Sequence, residues 1–491
     1  MSRKIKLLGL IILFLIIIPS NAFAACVDLS GLDEYVINES TLLCNSTYNM
    51  DDSDNNGALI INKSNVVLNC NGSTIKGSIG SSGYGIFAEN KTNITITGCS
   101  ISTYKQGIYF NDSSNILILN NTVAASSFCL GSGIKFKFSQ NNTIDNNKIK
   151  SNSLYGISLA FCSESLITNN LIRSQILHGI SFYSSPNNTL RNNTIQSSPI
   201  GIQFWQNSSN NLLFNNSIFS NDKGIQLKYN SNNSLVNNTF KSNGQAIRLF
   251  KSSNNTINVN NITSNGFGIL LKLNSNDNNI TSNFICSNTK DGIRIKNESN
   301  HNYIYDNYFN NSGSGRMNAF DDSSNYWNVS PRNISPLTNI IGDDILGGNY
   351  WDNYSGYDNT GNGLGNTIIP YNSSGGIKNG GDSLPLTNTI DVIPPAVSYN
   401  SNTDTSGSYV KKWILINASV YDNLFLKSII LEFNGTNETF NNSTGNIFWE
   451  NKTNISDGTY SFYPKRIKLC VQNVESFLNL NLLIVIIAQK N

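Results

Sequence analysis

The sequence predicts an all-β chain, a right-handed parallel β-helix of about ten coils with three short strands each, followed by a small, truncated β-sandwich. Three observations predict it. First, a Gly-Ile or Ala-Ile pair recurs at positions 85, 107, 133, 156, 179, 201, 224, 246, 268 and 292, a period of about one solenoid turn. Second, each repeat holds two further short apolar runs separated by Asn, as in Gly201-Ile202-Gln203-Phe204-Trp205, Asn211-Leu212-Leu213 and Asn216-Ser217-Ile218. Third, the Asn residues line up from repeat to repeat. One column is read as Asn142, Asn188, Asn211, Asn233, Asn255, Asn279 and Asn302, and a second as Asn121, Asn147, Asn170, Asn193, Asn216, Asn238, Asn261, Asn283 and Asn307. Asn tolerates the left-handed backbone of a tight corner, and its amide can bond both its own backbone and the Asn one coil away. Glu164 and Ser165 interrupt the first column, which predicts a different corner in that coil.

Taken in order, residues 1–24 read as a secretory signal peptide: Arg3, Lys4 and Lys6 precede the apolar run Leu7 to Ile18 and the small-residue site Ala22-Phe23-Ala24. Export permits disulfides, so Cys26 is expected to pair with Cys44 and staple the segment that caps the helix; lipid attachment at Cys26 is the alternative. Residues 25–80 are assigned to this cap and the first coil, and 81–312 to the repeats. Cys70 and Cys99 end equivalent apolar runs and are expected to stack in neighbouring coils, whereas Cys129, Cys162 and Cys286 read as buried thiols. The period is lost over 313–390, which reads as a C-terminal cap rich in aromatic residues. Beyond Pro394-Pro395, the alternating runs at 413–420, 428–433 and 458–462 read as a partial immunoglobulin-like sandwich over 391–463. Residues 464–491 lose that alternation and are taken as an atypical, truncated or frame-shifted tail. Its apolar run at 482–488 is too short to cross a bilayer as a helix, so no transmembrane helix is expected in the mature chain.

Composition narrows the partners. Net charge is +2 and charged residues make up 13% of the 491, so bulk attraction to nucleic acid is not expected. Polarity comes mostly from Asn and Ser. Sequons are dense, but the repeat itself generates Asn-Asn-Thr, so they carry little information on glycosylation.

The coils, the entry Val66-Val67-Leu68-Asn69-Cys70-Asn71-Gly72-Ser73-Thr74-Ile75 and the exit Gly347-Gly348-Asn349-Tyr350-Trp351 resemble the NosD-type right-handed β-helix proteins. These are part of the wider class of carbohydrate-binding and sugar-hydrolase β-helices, common in secreted and surface proteins of archaea. Two activities implied by that resemblance meet this sequence poorly. Copper delivery needs clusters of His, Met or Cys, and this chain has His178, His301, Met1, Met50 and Met317. Polysaccharide cleavage by a hydrolase needs paired carboxyl groups. Here His178-Gly179 and Arg294-Ile295-Lys296 lie five coils apart, with no Asp pair between Gly85 and Gly292. Family members often carry a calcium-like acidic loop after the coils; at 358–365 this chain has Asn where carboxylates would sit. No cofactor is therefore expected.

What remains is a surface. In each Gly-Ile strand the first and third residues after Gly face inward and the second and fourth outward. The outward positions include Tyr183, Trp205, Lys228, Arg248, Phe250, Lys272, Arg294 and Lys296, and no acid is read there after Glu89. Aromatic faces suit sugar rings, and the cations suit carboxylates or sulfates. The expected function is that of an exported, non-catalytic β-helix that binds or is displayed among cell-envelope polysaccharides, its partner an extended, acidic polysaccharide or cell-envelope component. The alternative is a carbohydrate-active hydrolase or lyase with an unfamiliar site.

Overall fold

A computed structural model describes residues 25–387 apart from 79–82, 125–130, 151, 314 and 359, together with strands between 396 and 490. The signal-peptide segment, Cys129 and residues 464–483 lie outside the described residues. The chain divides into two compact units, 1–233 and 234–491.

Unit one is all-β and winds through three parallel sheets. Its first sheet has nine strands, from Tyr35–Ile37 to Lys223–Lys228, and its second and third sheets have eight each. The repeat begins two coils before the first Gly-Ile pair: Tyr35–Ile37 and Leu59–Ile61 already belong to the first sheet although neither carries the Gly. First-sheet strands are typically six residues long and the others three. Ile134, Ile157, Ile180, Ile202 and Ile225 lie over one another with no exposure, each contributing about 2 kcal/mol of burial. Phe182 stacks on Phe204 in the next column at 4.6 Å. The Gly is explained by proximity: a Cβ on Gly179 would come 2.5 Å from the carbonyl oxygen of Gly201 and 2.6 Å from Ile195 Cγ2. Disulfides join Cys26 to Cys44 and Cys70 to Cys99, and Cys162 is a buried free thiol.

The corners are held by amide ladders. Asn170 donates from its backbone N–H and from Nδ2 to Asn193 Oδ1, both at 3.0 Å, and Asn193 makes the same pair of bonds to Asn216. Asn193 Nδ2 also donates to the Ile167 carbonyl at 2.8 Å, so each rung satisfies a corner N–H that no strand reaches and ties it to the strand of the coil before. The corner at Glu164 keeps the ordinary backbone, with φ of 56° against 53° at Asn141 and 58° at Asn187. What changes there is the ladder: Ser165 is too short to accept, and Asn142 Nδ2 is left buried without a partner. A third ladder, absent from the sequence reading, runs just before the Gly-Ile strands and includes Asn152 and Gln175.

Unit two repeats the plan with four, four and five strands in the three sheets. Two ladder positions differ from the sequence reading by one residue. Asn278 rather than Asn279 accepts from Asn255 and donates to Asn302, and Asn260 rather than Asn261 accepts from Asn238. In each Asn-Asn pair, the residue following the positive-φ corner residue (Asp277 or Val259) turns inward and the next begins a strand.

The coils of unit two end on aromatic layers: Trp351 stacks on Phe309 at 4.5 Å and Tyr350 on Tyr308 at 4.4 Å. Asn349 extends a ladder by accepting from Asn307, and the buried Asp382 carboxylate accepts from Asn349 N–H at 2.7 Å and Trp351 Nε1 at 2.9 Å. Gly348 is required because any side chain there would overlap Asp382. A second buried carboxylate, Asp321, accepts from Trp327 Nε1 at 3.0 Å.

The later strands form a four-stranded sheet (Ala396–Tyr399, Trp413–Tyr421, Ile447–Thr453, Asn442–Thr444) and a five-stranded one. In the latter, Ile484–Lys490 pairs in parallel with Ile429–Phe433 and antiparallel with Gly458–Tyr463. Part of the tail, Ile484–Lys490, thus forms one strand of this sheet.

Candidate functional site

The outer surface of the first sheet carries the candidate residues, and each unit presents its own set. In unit one, Tyr183, Trp205 and Lys228 are register partners on successive strands. Tyr183 and Trp205 meet edge to face at 5.8 Å, and Lys228 Nζ lies 5.3 Å over the Trp205 ring, which is 42% exposed. Pleat parity accounts for this: Phe204, one residue before Trp205, is fully buried. Outward does not always mean accessible. Ser158 and Gln203 occupy outward positions yet are buried, and Gln203 Nε2 donates to the Phe204 carbonyl at 2.7 Å.

In unit two, Phe250, Lys272 and Lys296 are register partners, as are Arg248, Leu270 and Arg294. Arg248 lies 5.8 Å over the Phe250 ring. The Arg294 guanidinium sits between Phe267 at 5.2 Å and Phe320 at 5.0 Å, and Lys296 lies over Phe320 at 4.9 Å. Burial, then the charges of Arg248, Lys296 and Arg294, depress the Lys272 ammonium below its usual range. Arg248 Nε is buried without a hydrogen-bond partner.

Alternation stops at the Gly. Parity would turn the preceding residue inward, but His178, Lys223 and Phe267 are all partly exposed, and Phe267 shares the face of Arg294. This adds an outward column that the sequence reading missed. It also corrects the acid-free face: Asp291 stands in that column, buried, and forms an ion pair with Arg294 Nε. Of the unit-two cations, Arg294 is thus internally compensated.

The side chains do not suit a copper ion. His178 stacks on Tyr155 at 5.1 Å, and burial followed by the charge of Lys223 lowers its pKa to about 4. His301 stacks near Tyr326. Among the described residues no group of three His, Cys, Asp or Glu converges. The loop at 358–365 does not suit calcium either, since Asp358 accepts from the N–H groups of Thr360 and Gly361 at 2.9 Å and of Gly363 at 2.7 Å, using both oxygens to hold its own turn. No described helix is long and apolar enough to cross a membrane.

Comparison with known proteins agrees with the architecture. The family described as "Right handed beta helix region" matches residues 36–175 and 132–285, and that described as "Periplasmic copper-binding protein (NosD)" matches 215–356. Among solved structures, the A-module of the Azotobacter vinelandii mannuronan C-5 epimerase AlgE6 is 18% identical with a TM-score of 0.49, covering 60% of this chain and 87% of that one. The periplasmic alginate epimerase AlgG is 15% identical with a TM-score of 0.43, covering 62% and 83%. The DFA-IIIase from Arthrobacter chlorophenolicus A6 is 15% identical with a TM-score of 0.40, covering 50% and 81%. Among curated proteins the sequence has no match.

Proposed function

We propose that this chain, which belongs to the NosD-type right-handed parallel β-helix proteins, is an exported, non-catalytic protein that binds an extended acidic polysaccharide on the outer face of its first sheet. Export is supported by the N-terminal charged and apolar segment and by the periplasmic description of the matched family. The observation that carries the binding reading is the unit-two cluster: Arg248, Lys272 and Lys296 are held together with aromatic neighbours, and of the carboxylates near them Asp291 is committed to Arg294 and Asp322 accepts from the Asn297 N–H. Like charges gathered this way repel in the free protein, and a carboxylate or sulfate ligand relieves that repulsion. Exposed rings beside the cations offer flat apolar area to the sugars, as Trp205 does in unit one.

Retention on immobilised acidic polysaccharides tests the proposal. Binding is expected to weaken with salt, and replacing both Trp205 and Arg248 by Ala should weaken it about tenfold or more. Unchanged retention of the double variant removes the face. New reducing ends or unsaturated products in the same glycan panel would replace the binding reading with a catalytic one.

A further inference from the structure

Within unit one, from the strand Tyr84–Glu89 onward, the corner that follows the first-sheet strand is taken by a residue with positive φ in each coil, Ser184 and Gln206 among them. At two early coils that residue is Asn90 (φ 53°) and Asp112 (φ 45°), types that accept the left-handed region readily. At three later coils it is an aromatic residue: Phe138 (φ 50°), Phe161 (φ 58°) and Tyr229 (φ 60°). A bulky side chain in this region is an outlier whose occurrence calls for a reason. All three rings are exposed, by 48%, 46% and 42%. Burial of apolar surface therefore does not account for them.

They also form a series. Phe138 stacks on Phe161 at 5.0 Å, Phe161 meets Tyr183 edge to face at 5.4 Å, and Tyr183 meets Trp205 at 5.8 Å. Lys228 then bridges the Trp205 and Tyr229 rings at 5.3 and 5.6 Å. At the other end, Lys137 lies 4.6 Å over Phe138. The outward strand positions of these five coils include Lys135, Lys137, Lys223 and Lys228 and hold no carboxylate; Asp222, beside them, is paired with Lys223.

The geometry points to a ligand track along this corner. An anionic polysaccharide lies lengthwise across the five coils, its sugar faces on Phe138, Phe161, Tyr183, Trp205 and Tyr229 and its acidic groups at Lys137 and Lys228. The two lysines stand four coils apart, about 19 Å at a strand spacing of about 4.8 Å. The ligand's charge is matched by the cations at both ends, and its rings by the aromatic side chains between them. This course deepens the polysaccharide reading above and rests on it.

Because Asn favours the left-handed corner, the test separates fold from binding. The triple variant Phe138→Asn, Phe161→Asn, Tyr229→Asn is compared with the wild-type protein and the Trp205→Ala, Arg248→Ala variant for retention on immobilised alginate and other uronate chains. Thermal unfolding and sedimentation are run in parallel. The track predicts a thermal midpoint held or raised in the triple variant, an unchanged association state, and binding weaker by about tenfold. A midpoint lowered by about 10 °C or more would show that the rings serve the fold and overturn the track. A shift from oligomer to monomer would overturn it in favour of a contact between copies of the chain. Wild-type binding lost in the Trp205, Arg248 variant but kept in the triple variant overturns the track alone, whereas a wild-type protein retained on no glycan overturns the polysaccharide reading itself.

Discussion

The coils of unit one and the closing layers of unit two solve the same problem with different chemistry. In the coils, buried corners are satisfied by neutral amides, each passing two hydrogen bonds to its equivalent in the next coil, as Asn170 does to Asn193. In the closing layers, where the repeat has ended, single buried carboxylates collect several donors at once: Asp382 serves Asn349, Trp351 and Leu384, and Asp321 serves Ser323, Asn325 and Trp327. A repeating amide supplies both donor and acceptor and so can be propagated, while an ionised carboxylate only accepts and must end a network. The comparison teaches that the amide rungs carry no titrating group, whereas the corresponding contacts of the cap depend on carboxylates that titrate.

The largest expected effect breaks the repeating side of that contrast. Asn193→Ala orphans the N–H of Asn170 in a buried corner, removes the acceptor for Asn170 Nδ2 and takes away the side-chain bond to the Ile167 carbonyl. The expected loss is on the order of 3 kcal/mol, read from denaturant unfolding.

A smaller effect tests the carboxylate side. Burial raises the Asp382 pKa from its usual value to about 6, against the opposing pull of its hydrogen bonds, and burial raises those of Asp321 and Asp306 in the same direction. A folded-state pKa above the unfolded one means that the native state holds its proton more tightly between about pH 4 and 6. Stability therefore falls as pH rises through that window and levels off above it. Between pH 7 and pH 5 the cap should gain about 1 kcal/mol, measured by hydrogen exchange at Trp351 and Asn349, and Asp382→Asn should flatten the profile.

The smallest prediction sharpens the comparison within the coils themselves. Ser165 is the one gap where Asn142 Nδ2 finds no acceptor, although Ser165 N–H already donates to Asn188 Oδ1 at 2.9 Å. Ser165→Asn should complete that rung and raise stability by about 0.5–1 kcal/mol in the same unfolding measurement. No change would mean that the ladder's side-chain bonds add little beyond the backbone ones.

Much of the fold was legible because a solenoid writes its period directly into the chain. Ile202 and Phe204 lie inside and Trp205 outside as simple alternation requires. Register was legible only to within a residue where Asn is doubled, as at Asn278 and Asn279, since either could fill the corner and only the backbone turn chooses. The candidate face was legible where parity holds and was missed where it fails. At several coils the residue before the Gly turns outward against alternation, as at His178, Lys223 and Phe267, and in the same column Asp291 meets Arg294. The aromatic corners escaped for a related reason: Phe138, Phe161 and Tyr229 occupy positions where sequence reasoning expects Asn or Gly, and nothing local announces that a large ring stands there in the left-handed region.

By itself, the sequence determined the winding and the inward columns, together with the neutral chemistry of the corners, because each depends on contacts between residues one repeat apart that recur along the whole chain. Tertiary structure alone decided which outward side chains meet, which cations are compensated and where the tail's apolar run is placed. Those outcomes depend on single, non-repeating neighbours, Asp291 with Arg294 or Ile484–Lys490 between two earlier strands, and no periodic signal encodes a contact that occurs once.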